Sequence, residues 1–303
     1  MFSLGCLYYY VLSNGSHPFG DSLRRQGNIL MGNYNLSEIK GPDWVVNVQK
    51  TLLSALISSA PEVRPSCKAT LEHPMFWDYS MILAFFQEVS DRVEKAEPDN
   101  YVLRELESNG EQIVKFDWRI HIHEEVSSDL KKYRSYQGHS VRDLLRALRN
   151  KKHHFRELST EAQKLLGDDV ASFTTYWTER FPLLLVHTWI TIQCVADEEN
   201  FKKFYHSTHR YSVKHCKEQM AAYASQNPVN VTVISTEEKD QKKYVPVRSK
   251  IEYQKIERKN YELVKSGGLY RNHESPEKDP PKQQLYFKGA LGKKGKVRKL
   301  MSP

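Results

Sequence analysis

Cysteine is scarce in this 303-residue chain: Cys6, Cys67, Cys194 and Cys216 stand apart, with no paired spacing. That excludes a disulfide framework and a cysteine-based zinc site, and it fits a reducing compartment. His121, His123, His153 and His154 have no CxxC or HExxH partners, so no metal site is expected. Long apolar runs are missing too. No stretch of 18 or more apolar residues occurs and the opening lacks a signal-peptide pattern, so no membrane contact is expected. Leu7 to Leu12 is too short to span a bilayer and reads as a buried helix. The chain has no glycine-rich phosphate loop, no lysine in a VAIK context, no HRD and no DFG. Nothing in it is expected to hold ATP or magnesium.

What is present falls into two kinds of sequence. Residues 207–303 carry 21 Lys/Arg against 10 Asp/Glu, leaving +11, whereas residues 1–206 carry 24 against 27, leaving −3. The overall charge of +8 therefore belongs to the last third. There, Val229 to Ile234 fits a strand and Ile251 to Val264 a polar helix. PEKDPPKQQ and GALGKKGKVRK read as disordered and basic. Disorder without specific function and non-specific nucleic-acid affinity both fit this segment.

The first two thirds read as helices that bury a core. Residues 1–77 show helical segments with loops at 13–20 and 41–43. From Tyr79 to Tyr205 the period is almost purely helical. Ile82, Phe85, Phe86, Val89 and Val93 form one apolar stripe; Val102, Leu103 and Leu106 form a shorter one, ended by Asn109 and Gly110. Residues 127–133 fit another short helix. Val170, Phe173, Trp177 and Phe181 continue the pattern up to Pro182, and Leu183 to Val195 is apolar enough to be the central core helix. His187 and Trp189 on it read as packing residues. The expected fold class is all-α.

One segment stands out chemically. Residues 131–156, KKYRSYQGHSVRDLLRALRNKKHHFR, hold nine Lys/Arg, three His, three aromatics and a single acid, Asp143. Ser140 followed by Asp143 fits a helix-opening capping box. Val141, Leu144, Leu145 and Leu148 then mark a buried face, and Arg142, Arg146 and Arg149 a separate basic face. Asn150 is expected to end the helix, with residues 151–154 in the turn. A solvated basic face, a nucleic-acid-binding face and a proton-transfer site all fit the pattern.

A resemblance narrows these readings. KKYRSYQGHSVRDLLRALRNKKHHFREL, followed by RFPLLLVHTW, resembles the kinase-extension nuclease domain of the inositol-requiring unfolded-protein-response sensor family, with ribonuclease L more distant. FSLGCLYYYVLSNGSHPFG, RPSCKATLEHPMFW and FFQEVSDRVEK are similar to the end of that sensor's kinase lobe and its junction with the nuclease. The resemblance runs from Met1 to about Tyr205. It implies an incomplete kinase C-lobe over residues 1–78, a nuclease domain over 79–206 and, outside the family pattern, a basic extension over 207–303. Arg64 would normally pair there with an activation-segment glutamate that this chain lacks. ATP and magnesium belong to the full-length family kinase only, and no cofactor is implied for the nuclease.

The resemblance also implies residue roles. Its catalytic tyrosine, arginine–asparagine pair and histidine fall on Tyr136, Arg149, Asn150 and His154. Family members cut RNA hairpin loops without metal, leaving 2′,3′-cyclic phosphate and 5′-hydroxyl ends. His154, with an ordinary pKa of about 6.5, suits the general acid. Tyr136 is the base if Arg149 or Lys151 lowers its pKa, and otherwise only orients the 2′-hydroxyl. Arg142, Arg146, Lys151, Lys152 and His153 are the candidate RNA contacts. The implied partners are RNA stem-loops, not DNA, and a second copy of the chain through kinase and nuclease domains. The implied location is the cytosolic side of the endoplasmic reticulum membrane for the full-length family, and the cytosol for this part alone. The alternative function is an RNA-binding or dimerisation remnant with little turnover.

Overall fold

The computed structural model describes residues 1–131, 135–229, 231–233 and 244–246. Four helices come first: α1 (Phe2–Leu12), α2 (Arg25–Met31), α3 (Asp43–Leu56) and α4 (Cys67–Leu71). Gly5 lets α1 lie directly on the end of α3, since a Cβ there would stand 2.7 Å from Ile57 Cγ2 and 2.8 Å from Leu56 Cβ. Tyr9, Phe19, Leu36, Ile39, Leu53 and Ile57 form a small core around this crossing. The expected buried helix is buried on that face only. Leu7, Tyr10 and Val11 are exposed, as are Leu23, Leu30 and Met31 around α2. The physical reason is that α1 is apolar nearly all round while its packing against α3 covers one stripe. Arg64 is satisfied locally, donating to the Ser58 carbonyl and lying 5.0 Å above the Phe2 ring.

Nine further helices complete the described part: α5 (Tyr79–Val93), α6 (Tyr101–Glu107), α7 (Gly110–Ile113), α8 (Glu124–Lys131), α9 (Val141–His153), α10 (Thr160–Leu166), α11 (Val170–Arg180), α12 (Leu184–Ile192) and α13 (Val213–Gln226). The Asp78 carboxylate caps α5 by accepting from Met81 N, and the whole stripe from Ile82 to Val93 is buried. Every residue of α12 is buried, so it is the central helix the apolar run predicts. His187 is a packing residue there, its Nε2 lying 2.7 Å from the Leu106 carbonyl. The helix expected over 127–133 starts earlier, at Glu124; residues 132–134 lie outside the described part.

Two expected boundaries do not hold as packing boundaries. Trp44, Val48, Leu52 and Leu56 of α3 share one continuous core with α5, α9, α11 and α12, so residues 1–78 are not a separate packing unit from residues 79–206. The boundary at 206/207 fails for a similar reason. Tyr211, Cys216 and Met220 are buried in that same core, and Gln193 exchanges two hydrogen bonds with the Tyr211 backbone at 2.6 and 2.9 Å. Apolar residues spaced along 211–220 outweigh the basic composition of the segment around them. β1 (Val231–Val233) falls inside the strand expected at 229–234 and pairs antiparallel with β2 (Tyr244–Pro246), which is not expected from the sequence. The expected polar helix at 251–264 and the basic stretches after it lie outside the described residues.

Candidate active site around Tyr136 and Asn150

The site rests on how α9 begins. Ser140 Oγ accepts from Asp143 N at 3.1 Å, which is one half of the expected capping box. The other half is replaced. Asp143 reaches back to Gln137 N at 2.7 Å, and Glu107 from α6 accepts from Ser140 Oγ, Val141 N and Arg142 N at 2.6, 2.9 and 3.1 Å. A carboxylate on the first N–H groups of a helix satisfies donors that have no intrahelical partner and opposes the positive helix end.

The loop carrying Tyr136 is held by the turn at 117–119. Arg119 donates to the Tyr136 carbonyl at 3.0 Å, while its guanidinium is paired with Asp117. Trp118 donates from its indole to the Gln137 carbonyl at 3.1 Å and from its backbone to the Gly138 carbonyl at 2.9 Å. The Trp118 ring meets the Tyr136 ring edge-on at 5.8 Å. Gly138 is required here because a Cβ would fall within the Asp117 carboxylate.

This arrangement brings Tyr136 onto α9. Asn150 Nδ2 donates to the Tyr136 hydroxyl at 3.1 Å. Asn150 Oδ1 in turn accepts from Arg149 Nε and Nη2, at 3.4 and 3.3 Å. Asn150 does not end the helix as expected. α9 runs on to His153, and His154 is its C-cap, its N–H donating to the Asn150 carbonyl at 2.9 Å. The Asn150 side chain is taken up by Tyr136 and Arg149, and the basic last turn suits the negative end of a helix. Asn150 and His154 are thus one turn apart on the same side of α9. The His154 ring is exposed, with Nδ1 3.0 Å from Glu157.

The expected basic face is largely used inside the fold. Arg142 donates to the Ala96 carbonyl at 3.2 Å, and Arg146 to the Glu94 carbonyl at 2.9 Å and to Asp143 at 3.1 Å. Arg146 therefore caps the C-terminal end of α5, where carbonyls lack intrahelical donors, and Arg142 holds the turn just after it. Arg149 is 7% exposed and pairs with Asp91 and Glu94; hydrogen bonding to Glu94, ahead of the opposing effect of burial, raises its pKa. Lys151 is 5% exposed and pairs with Asp129. Neither cation stands free beside the Tyr136 hydroxyl. Lys152 lies 5.2 Å above the Phe173 ring, and His153 is exposed with Nε2 3.2 Å from Gln87.

Residues 82–205 match the family model for ribonuclease 2-5A. They are a ribonuclease 2-5A domain. The chain is similar to the human serine/threonine-protein kinase/endoribonuclease IRE2, with 47% identity over 205 residues covering 68% of this chain and 22% of that protein. It is 44% identical over 206 residues to the Caenorhabditis elegans serine/threonine-protein kinase/endoribonuclease ire-1, covering 68% of this chain and 21% of the relative. It is 39% identical over 207 residues to the Schizosaccharomyces pombe sensor for unfolded proteins in the ER ire1, covering 67% and 19%. The chain thus spans about a fifth of the length of these curated relatives.

Sequence reasoning missed the acids and the turn that hold the candidate site together. Asp91 and Glu94 lie at the C-terminal end of α5, Asp129 on α8 and Glu107 on α6, all outside the basic segment. The usable signal was charge: acids off the apolar stripe of one helix suit a neighbouring helix rich in arginine. Among the described residues of this domain and its surroundings, no group of three or more His, Cys, Asp or Glu is placed to hold a metal ion.

Proposed function

We propose that this chain is an endoribonuclease of the unfolded-protein response that cuts RNA hairpin loops by transesterification, without metal. The 2′-oxygen of one nucleotide attacks the adjacent phosphorus while the bond to the 5′-oxygen of the next breaks. The products carry a 2′,3′-cyclic phosphate and a 5′-hydroxyl. His154 donates the proton that the leaving 5′-oxygen needs, and its exposure leaves it open to the substrate. Tyr136 faces the 2′-hydroxyl, as base or as orienting group, with Asn150 donating to its oxygen. The observation that carries the reading is this Asn150–Tyr136 hydrogen bond with His154 one helical turn beyond.

In this reading, Lys152 and His153 make RNA contacts, and two copies of the chain act side by side on the cytosolic face of the endoplasmic reticulum. The named activities of the relatives, and one relative's name as an ER sensor, support the setting. One observation favours a remnant that binds RNA with little turnover: Arg149 and Lys151 are both committed to carboxylates within the fold. A single experiment separates the two. A stem-loop RNA is incubated with the chain in excess EDTA, and the new 3′ ends are analysed. Cyclic phosphate ends support the nuclease; intact RNA that remains bound supports the remnant.

A further inference from the structure

We propose that Asp91 and Glu94 are positioning residues for RNA cleavage, which hold Arg149 as the orienting partner of Asn150 and not as a phosphate clamp. The inference rests on the nuclease reading above. It starts from how the guanidinium is used. Arg149 Nη1 donates to Asp91 Oδ1 and, at 2.8 Å, to Glu94 Oε2; Nη2 donates to Glu94 Oε1 at 2.9 Å. The remaining directions of Nε and Nη2 meet Asn150 Oδ1. A forked, two-oxygen pairing with Glu94 is the strong form of this interaction. Two carboxylates face this one guanidinium. An incoming phosphate therefore meets repulsion and a guanidinium already saturated with partners.

The same geometry gives Arg149 a different task. An asparagine amide presents an acceptor on one side and two donors on the other, and turning it over exchanges them. With Arg149 fixed, the flipped amide would set NH2 against guanidinium N–H. Only Oδ1 toward Arg149 and Nδ2 toward Tyr136 satisfies both neighbours. The Tyr136 oxygen then accepts from Asn150, and its own O–H is left to the substrate. Asp91 and Glu94, three residues apart at the end of α5, hold the guanidinium in the place where this selection works.

The test releases Arg149. In the full chain, Asp91→Ala with Glu94→Ala should lower kcat on a hairpin RNA by about 10- to 100-fold, the effect of a small misplacement in a reacting site. KM should stay the same or fall, because a freed cation attracts RNA. Asp91→Asn with Glu94→Gln keeps acceptors for Arg149 and should restore most of kcat. In RNA-free protein, the Asn150 side-chain NH2 resonance should be distinct in the unsubstituted chain and averaged in the alanine variant. Unchanged kcat with a lower KM would make Arg149 a phosphate clamp and overturn the proposal. So would a parallel loss of kcat, affinity and thermal stability without rescue, which marks a merely structural clamp. If the unsubstituted chain cuts no RNA, the nuclease reading fails and the Asn150 resonance still decides: averaging supports the positioning role, and an unchanged signal overturns it.

Discussion

Asn150 and His154, four residues apart on α9, differ in how they are held. Asn150 is held from two sides, whereas His154 sits exposed at the helix end beside Glu157. In the proposed mechanism His154 is the general acid, so replacing it with Gln should abolish cleavage while RNA affinity stays within a few-fold. Losing a general acid costs roughly 10²–10⁴ in rate. Undiminished turnover in steady-state assays of the variant would move the acid role to another residue, with His153 next in line. The buried histidines behave differently. Burial lowers the pKa of His187 to about 4 and of His73 to about 3, while unfolded histidine titrates near 6.5. Below that pH the unfolded chain binds more protons than the native one. The stability these residues contribute is complete above about pH 6.5 and is lost as pH falls toward about 4, by up to about 1.4 kcal/mol per pH unit for each. Urea midpoints at pH 7.5, 6 and 5 read this directly; a flat profile would mean that both sites accept protons without cost.

Among the elements, α13 departs most from expectation. It lies beyond residues 82–205 yet ties both halves of the described structure together. His215 meets the Tyr34 hydroxyl at 3.0 Å, Tyr223 donates to Asp43 at 2.8 Å, and Lys217 reaches Glu105 at 3.2 Å. Two truncations should therefore differ. Ending the chain after Asn227 removes most of the basic excess and should leave thermal stability and hairpin cleavage intact. It should also flatten the salt dependence of RNA binding, by about 0.7 in slope for each phosphate no longer neutralised. Ending it after His206 strips Tyr211, Cys216 and Met220 from the core and should cost on the order of 4 kcal/mol, from the apolar burial alone. Equal melting temperatures for the two would show that α13 is only an appendage.

At the scale of the whole molecule, the charge is divided between weakly acidic residues 1–206 and a basic end, and among the described residues α1 and α2 leave Leu7, Tyr10, Val11, Leu30 and Met31 exposed. A net −3 over residues 1–206 sets little barrier to pairing of two copies, although the basic ends oppose it at low salt. If the nuclease acts as two copies side by side, cleavage should rise faster than linearly with enzyme concentration, because mass action sets the paired fraction. Specific activity measured from nanomolar to micromolar enzyme, alongside sedimentation, tests this. Constant activity in a protein that stays monomeric would place a complete site within one chain.

Sequence periodicity alone was enough to place α5, α11 and α12. The stripe from Ile82 to Val93 buries as read, because a 3.6-residue repeat of apolar side chains has one stable use in water, and the run from Leu183 to Val195 is buried as far as Gln193, with Cys194 exposed. The family resemblance of one contiguous segment named Tyr136, Asn150 and His154 as candidates, and the fold joins Tyr136 to Asn150 with His154 one turn beyond. What each neighbouring charge does was decided by the tertiary structure. Arg142, Arg146, Arg149 and Lys151 read as an RNA-facing set, but α5 and α8 bring carbonyls and carboxylates against them. A buried cation is stable only with a partner, and the partners lie roughly 20 to 60 residues away in the chain. Local sequence sets which side of a helix is charged; only the packing of distant helices sets whether that charge meets solvent, substrate or an acid.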